Sequence, residues 1–207
     1  MQWSSRRKVH RLRGYDYSMP GDYFVTVCTA QRACTLGDIS SECMVPSECG
    51  EIVCSVWEQL AATWAHVAFS AFAIMPNHVH GLITIGCEDP SGPLHMVSDA
   101  PDQEAYGSVS LGVVVRRFKA LVSYRVGRSG VKGFGWQANY WDHIVRDQDA
   151  LARIADYIVK NPRNWPVDLD NQQRESVKEA DRFAARNGLM LADLPLVGIS
   201  PDLTSLV

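Results

Sequence analysis

The chain has 207 residues, which at about 150 residues per domain reads as one domain with extensions. Hydrophobic residues make up 46% and charged residues 21%. That is ordinary globular usage, which excludes disorder of the whole chain and supplies enough apolar material for a core. The net charge of -3 gives by itself no sign of a nucleic-acid partner.

Charge is unevenly placed, however. The first fourteen residues carry Arg6, Arg7, Lys8, Arg11 and Arg13 and no acid, whereas Asp168 to Val207 carries more acids than bases. A basic arm of this kind either grips phosphates or is a solvated tail. No apolar segment follows it, so a secretory signal is not expected. The longest apolar stretches, around Val67–Met75 and Leu82–Ile85, fall far short of the ~20 residues that span a bilayer. No membrane partner is expected. The six cysteines, Cys28, Cys34, Cys43, Cys49, Cys54 and Cys87, form no C-x-x-C pair. Free thiols in a reducing cytoplasm are expected rather than a disulfide framework.

In chain order, Tyr23–Cys28 is rich in aromatic and β-branched residues after Pro20-Gly21 and reads as a strand. A short second strand is expected over Cys34–Ile39. Gly50–Ala65 carries Ile52, Val53, Val56, Trp57 and Leu60 at helical spacing. Val67–Met75 reads as a buried strand, Pro76-Asn77 as a turn and His78–Ile85 as the returning strand. Glu88–Gly107, with three prolines, reads as a loop. Leu111, Val114, Val115, Phe118, Leu121 and Val122 give a helical stripe within about Ser108–Val126. Gly127–Gly135 is a Gly-rich loop and Trp136–Val145 a predicted strand. Asp147 is placed to cap a helix over Asp149–Asn161, which Pro162 should end, because it disfavours helical dihedrals in the residue before it. A last helix is expected near Gln173–Asn187. This order predicts an α+β domain with an antiparallel or mixed sheet and helices on one face.

Two places carry chemistry. His78 and His80 alternate on one strand, so both imidazoles project from the same face, while Val79, Ile83 and Ile85 point the other way. Such a pair fits two metal ligands, and equally a surface or hydrogen-bonded pair. Tyr157 and Asn161 are four apart on the predicted helix and share a face. A phenol, with an unperturbed pKa near ~10, is a poor nucleophile at neutral pH and needs a metal beside its target or beside itself. A helix offering a tyrosine next to an amide oxygen would supply nucleophile and ligand together. The same pattern also fits a half-buried core tyrosine and a helix end.

Four segments, in order, resemble a known family. Phe72-Ala73-Ile74-Met75-Pro76-Asn77-His78-Val79-His80-Gly81-Leu82-Ile83 resembles the HUH segment of the single-tyrosine, single-strand DNA transposases. Arg11–Tyr17 followed by Tyr23–Thr29 is similar to their first strand region. Trp136–Asp147 and Asp156-Tyr157-Ile158-Val159-Lys160-Asn161-Pro162 resemble the branch called REP-associated tyrosine transposases. The resemblance runs from about Arg11 to Trp165 and implies a ferredoxin-like antiparallel sheet with helices packed on one face, the HUH endonuclease fold. It implies a basic arm over residues 1–14, a catalytic domain over 15–166 and an extension over 167–207.

The resemblance also implies roles. Tyr157 matches the nucleophile, and His78, His80 and Asn161 match the ligands of a divalent metal, Mg2+ or Mn2+. The implied reaction cleaves and rejoins single-stranded or hairpin DNA through a 5′-phosphotyrosine, without hydrolysis and without a nucleotide cofactor. The chain has no G-x-x-x-x-G-K-[ST] loop, in agreement. Arg6, Arg7, Lys8, Arg11 and Arg13 on the arm, and Arg116, Arg117 and Lys119 on the long helix, are the expected phosphate contacts. Trp136, Tyr140 and Trp141 are candidates for base stacking or for core packing. A cytoplasmic monomer or homodimer is expected. The alternative is an HUH domain that binds DNA with little cleavage.

Overall fold

The protein is described from a computed structural model, which defines residues 12, 14–64, 66–86, 109–168, 170 and 171. The basic residues Arg6, Arg7, Lys8, Arg11 and Arg13, Cys87, the Glu88–Gly107 loop and the predicted helix near Gln173–Asn187 lie outside the described residues. The elements run β1 (Gly21–Cys28), β2 (Gly37–Ser40), β3 (Cys43–Pro46), α1 (Glu48–Thr63), β4 (Val67–Met75), β5 (His78–Ile85), α2 (Leu111–Ser129), β6 (Trp141–Val145) and α3 (Gln148–Lys160). A 3-10 turn over Asn161–Val167 follows α3 without a break. Among the described residues no helix is long and apolar enough to cross a membrane, and the cysteines other than Cys87 are free thiols.

The main sheet has the order β4-β5-β1-β6 and every pair is antiparallel. With the small β2–β3 hairpin set aside, the element order is β-α-β-β-α-β, the split repeat of ferredoxin-like folds. Period-2 alternation divides β1 and β5 between two layers. Tyr23, Val25, Val27, Val79, Ile83 and Ile85 face a core built with Val53, Trp57 and Leu60 of α1 and Val114, Phe118 and Val122 of α2. Phe24 and Leu82 face the other way, where Ile154 and Ile158 of α3 cover them. The expectation of helices on one face therefore holds for α1 and α2, and α3 adds a short layer on the opposite face. Its strongly amphipathic stripe of Ile154 and Ile158 is what docks it there.

Most differences from the sequence expectations are at element ends, and their causes are local. The strand expected at Cys34–Ile39 starts only at Gly37 and pairs with β3, which the sequence pattern did not predict. Its two-residue turn uses Ser41 and Glu42 at φ 50 and 63, a left-handed geometry normally signalled by Asn-Gly or Asp-Gly. Helix α1 begins earlier than Gly50 because the Ser47 side chain caps it, accepting from the Gly50 N–H. Helix α2 begins later than expected, at Leu111, and continues past Val126 to a left-handed Gly130. The strand predicted over Trp136–Val145 shrinks to β6. Trp136 makes only an isolated bridge to Thr29, and the Lys119 ammonium takes the Gln137 and Ala138 carbonyls. Helix α3 ends at Lys160 with Asn161 as its C-cap, the stop expected before Pro162, although Asn161 itself keeps right-handed helical dihedrals. The chain accommodates the proline by tightening into the 3-10 turn, whose first residues need no N–H donor.

One close approach fixes β5 from behind. Trp57 of α1 stacks on Phe72 with ring centroids 4.3 Å apart, and its indole lies directly over Gly81, where an added Cβ would overlap the ring. Only glycine leaves room for this contact. Gly81→Ala should lower stability by about 1–3 kcal/mol through overpacking, read as a shift of the urea midpoint at unchanged slope.

Candidate metal and tyrosine site

The α3 side of the sheet holds the polar groups. Cross-strand register sets Cys28 opposite His78 and Thr26 opposite His80, so the central strand β1 supplies the neighbours of both imidazoles. His78 is 0% and His80 2% exposed. Their Nε2 atoms approach to 3.0 Å. Burial depresses both rings: His78 falls to about 3, with Arg32 adding to the effect, and His80 is lowered by burial and by His78. Both are therefore neutral at pH 7 and present lone pairs rather than charge.

The outer nitrogens are held. Asn77 Nδ2 donates to the backbone carbonyls of Arg32 and Asp170 at 3.2 and 2.8 Å, which turns Asn77 Oδ1 toward His78 Nδ1 at 2.9 Å. The acceptor there must meet an N–H, so His78 carries its proton on Nδ1 and leaves Nε2 bare. His80 Nδ1 is 2.8 Å from Thr26 Oγ1, a hydroxyl able to donate or accept. Partners of this kind orient ligating histidines.

Helix α3 brings the phenol. The Tyr157 ring lies 5.5 Å from the His80 ring and 6.2 Å from Phe24, within the same chain. Burial pushes the phenol pKa upward, and the Asp168 carboxylate pushes it further. The Asn161 carboxamide offsets part of that rise, although it completes no hydrogen bond by distance and angle. Asn161 is 0% exposed, and both of its carboxamide atoms lack a hydrogen-bond partner. A buried carboxamide left unsatisfied costs about 1–3 kcal/mol, so its retention calls for a ligand or a reacting group.

The donor set fits a divalent cation. Two donors each bound at about 2.1 Å can be at most about 4.2 Å apart. The Nε2 pair at 3.0 Å and His78 Nε2 with Asp168 Oδ2 at 3.8 Å both satisfy this limit. The metal-binding atoms of His78, His80 and Asp168 all lie within 4.8 Å of one another.

The structure thus gathers His78, His80, Tyr157 and the Asn161 position on one face. It does not bring the predicted helix cations there. Arg116 and Arg117 are exposed on α2, which covers the opposite face of the sheet, and the Lys119 ammonium is engaged by the 137–138 carbonyls. Trp136 packs with Phe118 and Phe134, a core role; Tyr140 also packs on that core. His143 is exposed on β6. Sequence reasoning missed Thr26, Asn77 and Asp168. A threonine amid the apolar residues of β1 was a usable signal for the first. Asn77 was read only as a turn former, and nothing periodic points to Asp168.

No family model matches the chain. Over 166 residues it is 35% identical to an uncharacterised protein of Haemophilus influenzae, covering 78% of this chain and 91% of the relative. Over 164 residues it is 27% identical to a second Haemophilus influenzae protein, provisionally named a REP-associated tyrosine transposase, covering 73% and 80%. Among solved structures it is similar to a REP-associated tyrosine transposase bound to a REP hairpin, at 18% identity and TM-score 0.47, covering 88% of each chain. A transposase-like protein from Deinococcus radiodurans R1 matches at 18% identity and TM-score 0.39, covering 73% of this chain and 96% of that one.

Thr26→Val keeps the shape of β1 and removes the partner of His80 Nδ1. The variant should lose about 1–3 kcal/mol of stability, the cost of a buried ring nitrogen left unpaired. Chemical denaturation of metal-free protein measures this.

Proposed function

We propose that the chain is a REP-associated tyrosine transposase, a metal-dependent DNA transesterase that cleaves and rejoins single-stranded DNA at hairpin-forming repeats. The observation that supports this most directly is the Tyr157 ring 5.5 Å from His80, beside two neutral imidazoles whose Nε2 atoms converge. Tyr157 is the nucleophile. Its oxygen forms a bond to phosphorus, the bond from phosphorus to the 3′ oxygen breaks, and the proton lost by the phenol balances the one gained by the leaving hydroxyl. The phosphate stays on Tyr157 as a 5′-phosphotyrosine, and a 3′ hydroxyl later reverses the exchange.

His78, His80 and Asn161 hold the cation in this reading. A divalent ion, Mg2+ or Mn2+, supplies positive charge that polarises the phosphate and favours the phenolate. Asn77 keeps the His78 Nε2 lone pair aimed inward, and Thr26 holds the His80 ring beside it. Phe24, Ile154 and Ile158 fix the α3 face that carries Tyr157, so the phenol is positioned before DNA arrives. In the same reading the tyrosine acts on the metal site of its own chain, and the arm residues Arg6 to Arg13 contact the hairpin backbone.

Incubation with single-stranded hairpin DNA and Mn2+, followed by denaturing gel and mass spectrometry, tests the reading. The expected product is an adduct on Tyr157, absent in Tyr157→Phe while hairpin binding persists. A His78→Ala, His80→Ala double variant should lose about a thousandfold or more in cleavage rate, because several kcal/mol of charge stabilisation disappear at about 1.4 kcal/mol per decade. An adduct mapped to another residue defeats the assignment. Hairpin binding by the wild type with no adduct establishes the binding-only alternative.

A further inference from the structure

The described residues beyond Asn161, up to Asp168 with Asp170 and Asn171, fold back toward the histidines. Asp168 N–H donates to the Trp165 carbonyl, and Asn171 N–H to the Asp168 carbonyl, at 3.2 and 3.1 Å. Asn171 Nδ2 also reaches the Trp165 carbonyl at 2.9 Å. Asp170 forms an ion pair with Arg32, and its carbonyl accepts from Asn77, the residue that orients His78. The Trp165 ring lies 6.2 Å from the His78 ring. These contacts fix where the Asp168 carboxylate points.

Its two oxygens are differently used. Oδ1 accepts from the Asp170 N–H at 2.6 Å, and Oδ2 stands 3.8 Å from His78 Nε2. Since Asn77 holds the His78 proton on Nδ1, the nitrogen facing Oδ2 carries a lone pair. The bare His78 Nε2 and an anionic oxygen therefore converge with a second imidazole nitrogen. The His78 lone pair and the anionic oxygen repel one another at this distance, and a shared cation turns that repulsion into attraction. A backbone N–H on Oδ1 is also the kind of supporting hydrogen bond that orients a ligating carboxylate.

We propose that Asp168 is an anionic ligand of this metal site, acting through Oδ2 beside His78 and His80. The inference rests on the metal-dependent reading above and adds to it the one charged donor of the set, since the imidazoles and the Asn161 carboxamide are neutral. Ligand charge is a main determinant of affinity for hard divalent cations. Asp168 thereby makes the turn after α3 part of the metal site.

Mn2+ binding to the full chain tests this without DNA, with free Mn2+ counted by its electron paramagnetic resonance signal. Asp168→Asn keeps an oxygen for the Asp170 N–H and removes the charge. It should weaken Mn2+ binding about tenfold or more, with the melting temperature of the metal-free protein unchanged. Asp168→Glu, which keeps the charge, should stay within severalfold of wild type, and it decides the matter if the Asn variant folds poorly. Wild-type affinity in Asp168→Asn, with binding lost in the His78→Ala, His80→Ala double variant, overturns the role of Asp168 and leaves the histidine site standing. Undiminished binding in the histidine double variant overturns the metal reading itself.

Discussion

Two neutral imidazoles with their inner nitrogens 3.0 Å apart form the constraint on which the rest of this structure depends. Burying them costs hydration, and the hydrogen bond between the inner nitrogens, with a partner for each outer one, offsets part of that cost. β1 provides Thr26 for one ring, and the β4–β5 turn provides Asn77 for the other. The sheet order follows from the same need. With β1 between β5 and β6, the strand that supports the histidines also receives β6, whose chain leads directly into the tyrosine helix. One central strand thus relates the paired histidines to the tyrosine.

The two faces of the sheet divide the work. The α1 and α2 face holds the larger apolar core and sets stability. The α3 face is thinner, with Phe24, Ala73, Leu82, Val145, Ile154 and Ile158 as its buried apolar residues, and it carries the polar cluster. Position 81 connects the faces, since the indole behind it fixes the strand that presents both imidazoles in front. Electrostatics in the thin layer act in opposition. Burial and Asp168 make the phenol of Tyr157 harder to ionise, and in the proposed reading a cation beside the same carboxylate would favour its ionisation.

Much of this arrangement is legible in the amino-acid order. Alternation around His78 and His80 gives the shared face, and four-residue spacing on α3 gives Tyr157 with Asn161. Both signals are local and periodic, so pattern reading finds them. The turn chemistry at Ser41 and Glu42 is not legible, because ordinary side chains adopt left-handed dihedrals there without a glycine or asparagine. The truncation of the strand at Trp136 depends on carbonyls captured by a lysine from another helix. Asp168 is reached only through a 3-10 turn beyond the helix end, which no periodic pattern in the sequence announces. Each failure comes from a tertiary contact overriding a local preference.

The placement of β1 also bears on how the protein is made. Among the described strands it is the first to be synthesised, and both of its sheet partners come later, with β6 last. Long-range pairing of this kind is slow to close. A nascent or prematurely terminated chain that already contains the paired histidines still lacks Tyr157, Asn161 and Asp168, so the strand that carries the imidazoles is made well before the residues that gather around them.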